Sequence, residues 1–354
     1  MNSNKLKAID FFCSGGGMTR GMSDAGIDVI AGIDNDPTVR DTYEKNNIGS
    51  KFIEANVAEL TEECLKSSID IKVNDDNLIL IGCSPCQYWT KIRTDKKKSE
   101  KSKDLLKEFK RFVIHFNPGF VVVENVPGLE KRAEESGLKD FVDYLENNEY
   151  VVEYKIYNLN EYGVPQSRKR FSLIASRIVK EKLSPNKAEK KLFVEDFIGV
   201  LNGFARVEAG HVDKSEFNHS VAKLSNINLK RIEQTGKNGG SWLDWKDDKE
   251  LSRKKYTGKE FIDNYGRMSW NKPAPTITTR FNSLSNGRHG HPEENRAISI
   301  REGASLQTFS KDYIFYTESN QKAAKMIGNA VPPEFARRIG ETILKGLANG
   351  NRKN

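Results

Sequence analysis

The 354-residue sequence has only four cysteines and no apolar run long enough to cross a membrane. Four cysteines are too few for a disulfide scaffold in a chain of this length, so a reducing compartment is the simplest environment. The longest aliphatic runs, at 78–81 and 120–123, are far shorter than the ~20 residues that a bilayer-spanning helix requires. The polar segment 1–7 lacks the apolar core of a secretory signal. We therefore expect a cytoplasmic protein without membrane spans.

The composition is that of a folded, polar protein with a small excess of positive charge. Hydrophobic residues make up 37% of the chain, and 57 Lys and Arg face 49 Asp and Glu, for a net charge of +8. At roughly 100–200 residues per domain, the length indicates two domains. The positive excess suggests a polyanionic partner, but by itself it does not identify one.

Short apolar runs alternate with helical patterns through the first 175 residues. Such runs are typical of strands that are buried on both faces of a parallel sheet. They predict strands at 8–12, 28–33, 78–81, 120–123, 151–157 and 171–175. The alternation favours a doubly wound α/β sheet. From about residue 177 to residue 264 the pattern is replaced by glycine clusters, aromatics and charges, which indicates a second, irregular domain.

A glycine-rich turn, Phe-Cys-Ser-Gly-Gly-Gly at 12–17, follows the first predicted strand. Glycines here let the backbone turn tightly and approach a ligand, and Asp34 at the end of the second strand is placed to accept hydrogen bonds from a ribose. A plain tight turn explains the glycines equally well. The absence of a following Lys-Ser/Thr argues against a nucleotide triphosphatase, and the glycine spacing of NAD-binding proteins is not met.

A Cys-x-x-C pair, Cys83 and Cys86, follows the predicted strand 78–81. Redox activity is one interpretation, although the context differs from that of thioredoxin-like proteins. Zinc binding is a second, but a structural site needs four ligands, and His289 and His291 are too close together to complete one. In the third, Cys86 is a nucleophile and Cys83 a packing residue. Spacing alone does not separate a nucleophilic from a structural cysteine.

Two further polar groups lie beside the predicted strands. Glu124 directly follows the apolar strand 120–123, where burial would raise the pKa of its carboxyl and make it an acid near neutral pH. Arg168 and Arg170 alternate, so a continuous strand would direct both to one side, as suits a phosphate or the edge of a base. The alternatives are an N-cap or solvated carboxylate for Glu124, and a solvated basic patch for the arginines.

Taken together and in order, these segments resemble the cytosine-5 DNA methyltransferase family of bacterial restriction–modification systems. The similar segments are the turn at 12–17, Pro85-Cys86-Gln87, Glu124-Asn125-Val126, Gln166-Ser167-Arg168-Lys169-Arg170, and the stretches 273–278, 301–309 and 328–333. The resemblance covers both ends of the chain and leaves about 177–264 unmatched. An ordered set of this kind is far more specific than any one motif.

The resemblance implies a Rossmann-like sheet that binds S-adenosylmethionine and a smaller, mostly-β target-recognition domain. The implied cofactor-binding residues are Phe12, Gly16, Gly17, Asp34, Asn56, Pro85, Leu105, Asn329 and Val331, and no metal is implied. The sequence departs from the family at Ser14, where a glycine is usual, and at Asn56, where an aspartate typically contacts the adenine amino group. We expect cofactor binding to be retained, and to be weaker if the amide at Asn56 is the poorer acceptor.

The resemblance also implies a mechanism, in which Cys86, Glu124, Arg168 and Arg170 are the catalytic residues. A thiolate of Cys86 would add to C6 of cytosine and load electron density onto C5. A protonated Glu124 would hydrogen-bond N3, and the two arginines would hold the base carbonyl and nearby backbone. Because C5 and C6 are inaccessible inside a duplex, the base would be flipped out of the DNA.

The predicted domains are a catalytic domain at 1–176 plus 321–350 and a target-recognition domain at 177–320. The positive charge is concentrated at 91–111, with a net of +6, and at 177–264, with a net of +4. The first segment is interpreted as a basic lid on phosphates, although a solvated helix face is the alternative and we expect part of 103–111 to be one. The second is interpreted as the recognition region, with Arg280, Arg288 and His289 on a neighbouring loop as candidate DNA contacts.

The expected partner is double-stranded DNA, bound by a monomer. A cognate restriction endonuclease would act on the same site without forming a stable complex. Two alternatives stay open: a methyltransferase that acts on a cytosine of transfer RNA, and a non-catalytic DNA-binding relative.

Overall fold

The computed structural model describes residues 5–85, 104–245, 248, 250–251 and 263–353. The chain divides into two compact units: unit 1 comprises Met1–Asn158, Lys169–Lys187 and Val331–Asn354, and unit 2 comprises Leu159–Arg168 and Ala188–Ala330. None of the helices in the described part of the chain is both long and apolar enough to cross a membrane.

Strands and helices alternate through the first part of the chain. The strands are β1 (Lys7–Phe11), β2 (Asp28–Asp34), β3 (Lys51–Glu54), β4 (Leu78–Gly82), β5 (Phe120–Asn125), β6 (Val151–Asn158), β7 (Gln166–Ser167), β8 (Lys169–Ser176) and β9 (Ala274–Pro275). The helices are α1 (Gly17–Asp24), α2 (Arg40–Asn46), α3 (Glu62–Ser68), α4 (Leu105–Phe116), α5 (Gly128–Lys131), α6 (Ala133–Ser136), α7 (Leu138–Asn147), α8 (Asn226–Gln234), α9 (Ile300–Leu306), α10 (Asn320–Asn329) and α11 (Pro333–Lys353).

Unit 1 is built on a seven-stranded sheet with the order β3-β2-β1-β4-β5-β8-β6. The pairs among β1 to β5 are parallel, and β8 runs antiparallel to both of its neighbours, β5 and β6. The chain moves outward from β1 in one direction to β3 and then returns to β4 on the other side. This topology confirms the predicted doubly wound α/β fold.

The register of the parallel strands aligns their carboxyl ends at one edge of the sheet. Phe11 pairs with Ile33 of β2 and with Gly82 of β4, and Gly82 pairs with Val123 of β5. The residues that follow these positions therefore lie at a common edge, where open α/β sheets bind their ligands. Gly82 is required here, because a Cβ at this position would lie 2.7 Å from the ring of Phe109 on α4.

Unit 2 is largely irregular, as predicted, but the mostly-β character expected for it needs correction. In its described residues, strand is limited to the two dipeptides β7 and β9, which pair in parallel, beside the helices α8, α9 and α10. Many of its backbone carbonyls accept hydrogen bonds from buried arginine side chains instead of from a strand ladder. Arg267, which is almost fully buried, donates to the carbonyls of Ile232, Thr235, His291 and Glu294.

The boundaries of the two units depart from the predicted ranges for two physical reasons. Leu159–Arg168 belongs to unit 2, because the side chains of Gln166 and Arg168 bond to backbone groups of that unit. Residues 177–187 belong to unit 1, where Val179 and Leu183 pack against Gly346 of α11. The assignment of the second domain to target recognition stays a prediction.

Candidate active site

The turn after β1 has the sharply bent backbone that its glycines suggested. Phe12, Ser14 and Gly16 have positive φ angles of 65°, 46° and 82°. The N–H of Cys13 donates to Ile33 O at 3.0 Å, and the N–H of Gly16 donates to Cys13 O at 2.9 Å. Gly16 and Gly17 are buried, whereas the Phe12 side chain is half-buried. The turn therefore presents an aromatic ring and backbone groups at the ligand-binding edge of the sheet.

Asp34 ends β2 with its carboxylate fixed at this edge. Its Oδ2 accepts a hydrogen bond from the N–H of Ser14 at 2.9 Å, and its Oδ1 accepts one from the N–H of Asp36 at 2.9 Å. Each carboxylate oxygen has a second lone pair, so the half-buried group keeps the capacity to accept hydroxyl hydrogen bonds. The backbone N–H of Ser14 positions this carboxylate. A glycine offers the same N–H, so the serine that stands in place of the family's usual glycine leaves that role intact.

Asn56 lies in the exposed loop after β3 and shapes that loop with its own side chain. Its Oδ1 accepts a hydrogen bond from the N–H of Ala58 at 3.2 Å, and its Nδ2 donates to Glu59 Oε1 at 2.6 Å. One lone pair of the amide oxygen is thus used within the loop. Two other predicted cofactor residues border the next gap in the description: Pro85 is exposed before it, and Leu105 is half-buried where α4 begins after it.

Cys86, the predicted nucleophile, lies outside the described residues, as does most of the predicted lid. The segment that leads to it is held by β5, because Asn125 Nδ2 donates to both the carbonyl oxygen and the Oγ of Ser84 at 3.0 Å. Burial raises the pKa of the Cys83 thiol well above its usual value, so this cysteine is neutral, as suits the packing residue that was predicted.

Glu124 and Arg170 form an ion pair at the carboxyl end of β5. Arg170 Nε lies 3.0 Å from Glu124 Oε1, and the two side chains are 14% and 9% exposed. The expectation that Glu124 acts as a neutral acid stays a prediction. An acid and a cation are thus held together within the antiparallel pair of β5 and β8.

Arg168 has a different environment from Arg170, because the strand that would carry both is interrupted. β7 ends at Ser167 and β8 begins at Lys169, and the N–H of Arg168 donates to Gln166 O at 2.9 Å in a tight turn between them. The Arg168 side chain is 1% exposed and donates to the carbonyls of Ile277, Gly328 and Ala330. The described contacts of Arg168 therefore tie together segments of unit 2.

Two glutamines complete this network, and their roles were not predicted. Gln166 donates to Leu306 O and Gln307 Oε1 at 2.6 and 2.7 Å, and it accepts a hydrogen bond from the N–H of Ile277. Gln307 in turn donates to Ile327 O and Ala330 O. The turn at the end of α10, which exposes Asn329, is thus held by side chains from two distant segments. Val331 follows as a buried residue of unit 1.

Asp10 is a further polar residue that the sequence reasoning missed. It lies on β1, is fully buried, and accepts a hydrogen bond at Oδ2 from Thr19 Oγ1 at 2.8 Å, whereas its Oδ1 has no hydrogen-bond partner among the described residues. Burial raises the pKa of this carboxyl to about 7. A charged residue inside the otherwise apolar segment 8–12 is the signal that would have identified it.

The candidate DNA contacts in unit 2 are only partly accessible. His289 is 2% exposed, and burial lowers the pKa of its imidazole to about 4, so it is a neutral interior residue and not a surface contact. Arg288 donates to the carbonyls of Gly239 and Gly240 and pairs with Asp263. Arg280 is exposed, as a DNA contact requires.

The end of the basic segment 91–111 belongs to the body of unit 1. Lys107 pairs with Asp104 at 2.8 Å, and Lys110 pairs with Asp140 at 2.7 Å. Arg111 donates to the carbonyls of Val57 and Leu60 and pairs with Glu62 and Glu108. These three residues lie on α4, as expected for the helix face predicted within 103–111.

Comparison with known proteins identifies the class of the chain. The model of the C-5 cytosine-specific DNA methylase family matches residues 6–345. The chain is 37% identical to the type II methylase M.HgiDII of Herpetosiphon aurantiacus over 96% of its own length and 95% of that protein. It is 29% identical to the type II methyltransferase M1.HphI of Haemophilus parahaemolyticus, over 96% of its own length and 87% of that protein.

A solved structure has the same fold. It is a prophage-encoded protein of E. coli, solved as a candidate DNA modification methyltransferase, which superposes with a TM-score of 0.72 at 21% identity and covers 97% of this chain and 100% of its own. The chain belongs to the C-5 cytosine-specific DNA methylase family, as its motifs predicted.

The described residues suit the cofactor that this family implies. A half-exposed aromatic ring at Phe12 offers a surface for adenine, and the fixed carboxylate of Asp34 offers acceptors for ribose hydroxyls. Among the same residues, no cluster of three or more His, Cys, Asp or Glu could hold a metal ion.

Proposed function

We propose that this protein methylates the C5 carbon of a cytosine within a specific duplex DNA sequence, as the modification enzyme of a restriction–modification system. One observation carries the proposal. In a chain of this family, β5 ends in an ion-paired Glu124 and in Asn125, which fixes the segment that leads to Cys86. Glu124 and Arg170 provide a carboxyl group and a cation at the carboxyl end of β5, and with the Cys86 thiol of the sequence motif they are the three groups that cytosine activation requires.

The proposed cofactor is S-adenosylmethionine, which supplies an electrophilic methyl group when it is bound. Phe12 would stack on its adenine, Asp34 would accept the ribose hydroxyls, and Asn56 would accept from the adenine amino group. The remaining pocket residues are Gly16, Gly17, Pro85, Leu105, Asn329 and Val331. Substitution of each residue, followed by measurement of cofactor affinity, tests its assignment.

Cys86 acts as the nucleophile. Addition of its thiolate to C6 breaks the aromaticity of the ring and concentrates electron density at C5. C5 then bonds the methyl group that the cofactor would supply, and loss of the C5 proton and of the Cys86 thiolate restores the aromatic ring. Because these ring atoms are stacked inside a duplex, the target base is flipped out before the addition.

Glu124 and Arg170 stabilise the activated base. Arg170 would donate a hydrogen bond to the base carbonyl, and Glu124 in its protonated form would donate one to N3, where negative charge develops after addition of the thiolate. Their ion pair holds both side chains in place before the base arrives, which lowers the entropy lost on binding. Arg168 acts indirectly, since its guanidinium holds the carbonyls of Gly328 and Ala330 and thereby the turn at Asn329.

The region 177–320 would read the target sequence, with Arg280 among the DNA contacts. The enzyme would act as a monomer in the cytoplasm, on the same sites as a cognate endonuclease. Exposed lysines and arginines in this region supply the phosphate contacts, which makes binding dependent on salt.

A methyl-transfer assay tests the proposal. Purified protein is incubated with tritiated S-adenosylmethionine and either mixed-sequence DNA or transfer RNA, and bisulfite sequencing then locates the modified cytosine. The Cys86→Ser variant should lose transfer to DNA but retain cofactor binding in calorimetry, because serine is a far weaker nucleophile.

Cys64→Ser is the matched control, since Cys64 is an exposed thiol on α3. It should keep full activity. Turnover by Cys86→Ser would refute the assignment of the nucleophile, and transfer to RNA alone would replace DNA as the substrate.

A further inference from the structure

Arg111 on α4 directs its guanidinium into the loop after β3. Nη2 donates to Val57 O at 2.6 Å and also to Leu60 O, Nη1 donates to Glu62 Oε1 at 2.8 Å, and Nε donates to Glu108 Oε2 at 3.0 Å. Its guanidinium carbon lies 4.2 Å from the centre of the Phe112 ring. One side chain thus binds two backbone carbonyls and the start of α3 with fixed geometry.

The loop that Arg111 binds is the loop of Asn56. The carbonyl of Asn56 accepts hydrogen bonds from the N–H groups of Glu59 and Leu60 at 2.9 Å, so the backbone folds back on itself. Val57 is buried in the core of unit 1, whereas Asn56 itself is exposed. Arg111 binds the carbonyls of Val57 and Leu60, which are residues of this turn directly after Asn56 and at its end.

The hydrogen bonds from Arg111 are strong because their donor is charged. Hydrogen bonds from a charged group to backbone carbonyls are about twice as strong as those between neutral groups, and a guanidinium offers several in one plane. A lysine could reach only part of this set. The loop is held to β2 where the N–H of Ala55 donates to Asp34 O at 3.0 Å, and the bonds from Arg111 tie its following residues to α4.

We propose that Arg111 is a positioning residue for the adenine end of the cofactor, acting through the Asn56 loop. The inference rests on the proposed function, because it takes Asn56 as the residue that faces the adenine amino group. By holding Val57 and Leu60, Arg111 fixes the Asn56 amide before the ligand binds. It also links that loop to α4, the helix that begins two residues after the undescribed segment of Cys86.

The test compares binding of two ligands by calorimetry in the absence of DNA. One is S-adenosylhomocysteine, and the other is the same molecule with hydrogen in place of the adenine amino group. Arg111→Met keeps the stem that packs on Phe112 but removes every donor. We expect it to weaken binding of the first ligand about tenfold, and to leave binding of the second nearly unchanged.

A second measurement, hydrogen exchange of the ligand-free protein, is independent of the cofactor. Amides of 55–62 should exchange faster in Arg111→Met, and Arg111→Lys should restore part of their protection. Arg40→Met is the matched control. Arg40 also fixes a chain segment, because it bonds to Glu54 and stacks on Phe52, and these two contacts lie before the Asn56 loop.

The outcomes are distinct. Unchanged affinity for S-adenosylhomocysteine in Arg111→Met would overturn the inference, and so would equal weakening for both ligands with faster exchange throughout unit 1. If the unmodified protein binds neither ligand, the proposed function fails at the cofactor. If Arg111→Met does not fold, the ratio of the affinities for the two ligands is measured with Arg111→Lys instead, and the same outcomes apply.

Discussion

Replacing Asp10 by asparagine should make the protein more stable at neutral and alkaline pH. Burial raises the pKa of the Asp10 carboxyl from 3.8 to about 7, so the folded state holds a proton that the unfolded chain releases. Below pH 4 both states are protonated, and the group has no effect on stability. As the pH rises from 4 to 7, the folded state becomes progressively less stable, because the carboxyl ionises in the unfolded chain and has to take up a proton on folding.

The size of the effect follows from the shift. A pKa difference of roughly three units, at 1.36 kcal/mol per unit, corresponds to about 4 kcal/mol of lost stability above pH 7. Asparagine resembles the neutral acid, since its oxygen can accept the hydrogen bond from Thr19 and its amide occupies the position of the protonated oxygen. The variant should therefore match the natural protein near pH 4 and exceed it by a few kcal/mol at pH 8.

Urea unfolding followed by circular dichroism at pH 4 to 8 measures this difference. Asp28→Asn is the control, because Asp28 is a half-buried aspartate at the start of β2, at the opposite end of its strand from the site. It is measured at the same pH values as Asp10→Asn. A stability difference between Asp10→Asn and the natural protein that does not change with pH would refute the burial argument.

The other predictions concern unit 2 and are checked by thermal unfolding. Glu302→Gln removes the fully buried one of the two carboxylates that pair with Arg296, leaving Glu294 as its charge partner, and should lower stability by about 1–3 kcal/mol. Glu293→Gln, at a half-exposed carboxylate, should change it by less than about 1 kcal/mol. Equal effects of the two would contradict the role of the ion pair. Gly328→Ala places a Cβ 2.3 Å from the carbonyl carbon of Thr278 and should lower stability by at least about 1–3 kcal/mol, and an unchanged melting temperature would show that the turn can relax.

Much of the catalytic sheet could be predicted because its signals are local. The apolar runs at 78–81 and 120–123 are short, continuous and bounded by polar residues, and the structure has β4 and β5 at these positions. Parallel strands then bring their carboxyl ends together, which places Asp34 and Glu124 at the same edge. Chemistry at that edge followed from topology, without knowledge of any long-range contact.

The rest depended on partners that are distant in sequence. The alternation of Arg168 and Arg170 is a local signal, but the interruption of the strand at Arg168 depends on carbonyls more than 100 residues away. In the sequence, His289 has the side chain expected of a surface residue that contacts a base. Only the packing around it shows that it is buried. A local sequence pattern does not predict which backbone carbonyl accepts a hydrogen bond from a buried side chain.

The buried arginines of unit 2 influence which amino-acid substitutions its loops can accept without a change in backbone path. Arg267 fixes four carbonyls from inside, so the path of those loops depends little on which side chains they carry outward. Residues on the outer surface could then be exchanged while the loops keep their course. On the proposal that unit 2 reads the target, new target sequences can be acquired by substitution around this constant internal frame, whereas substitution of Arg267 disturbs the frame itself.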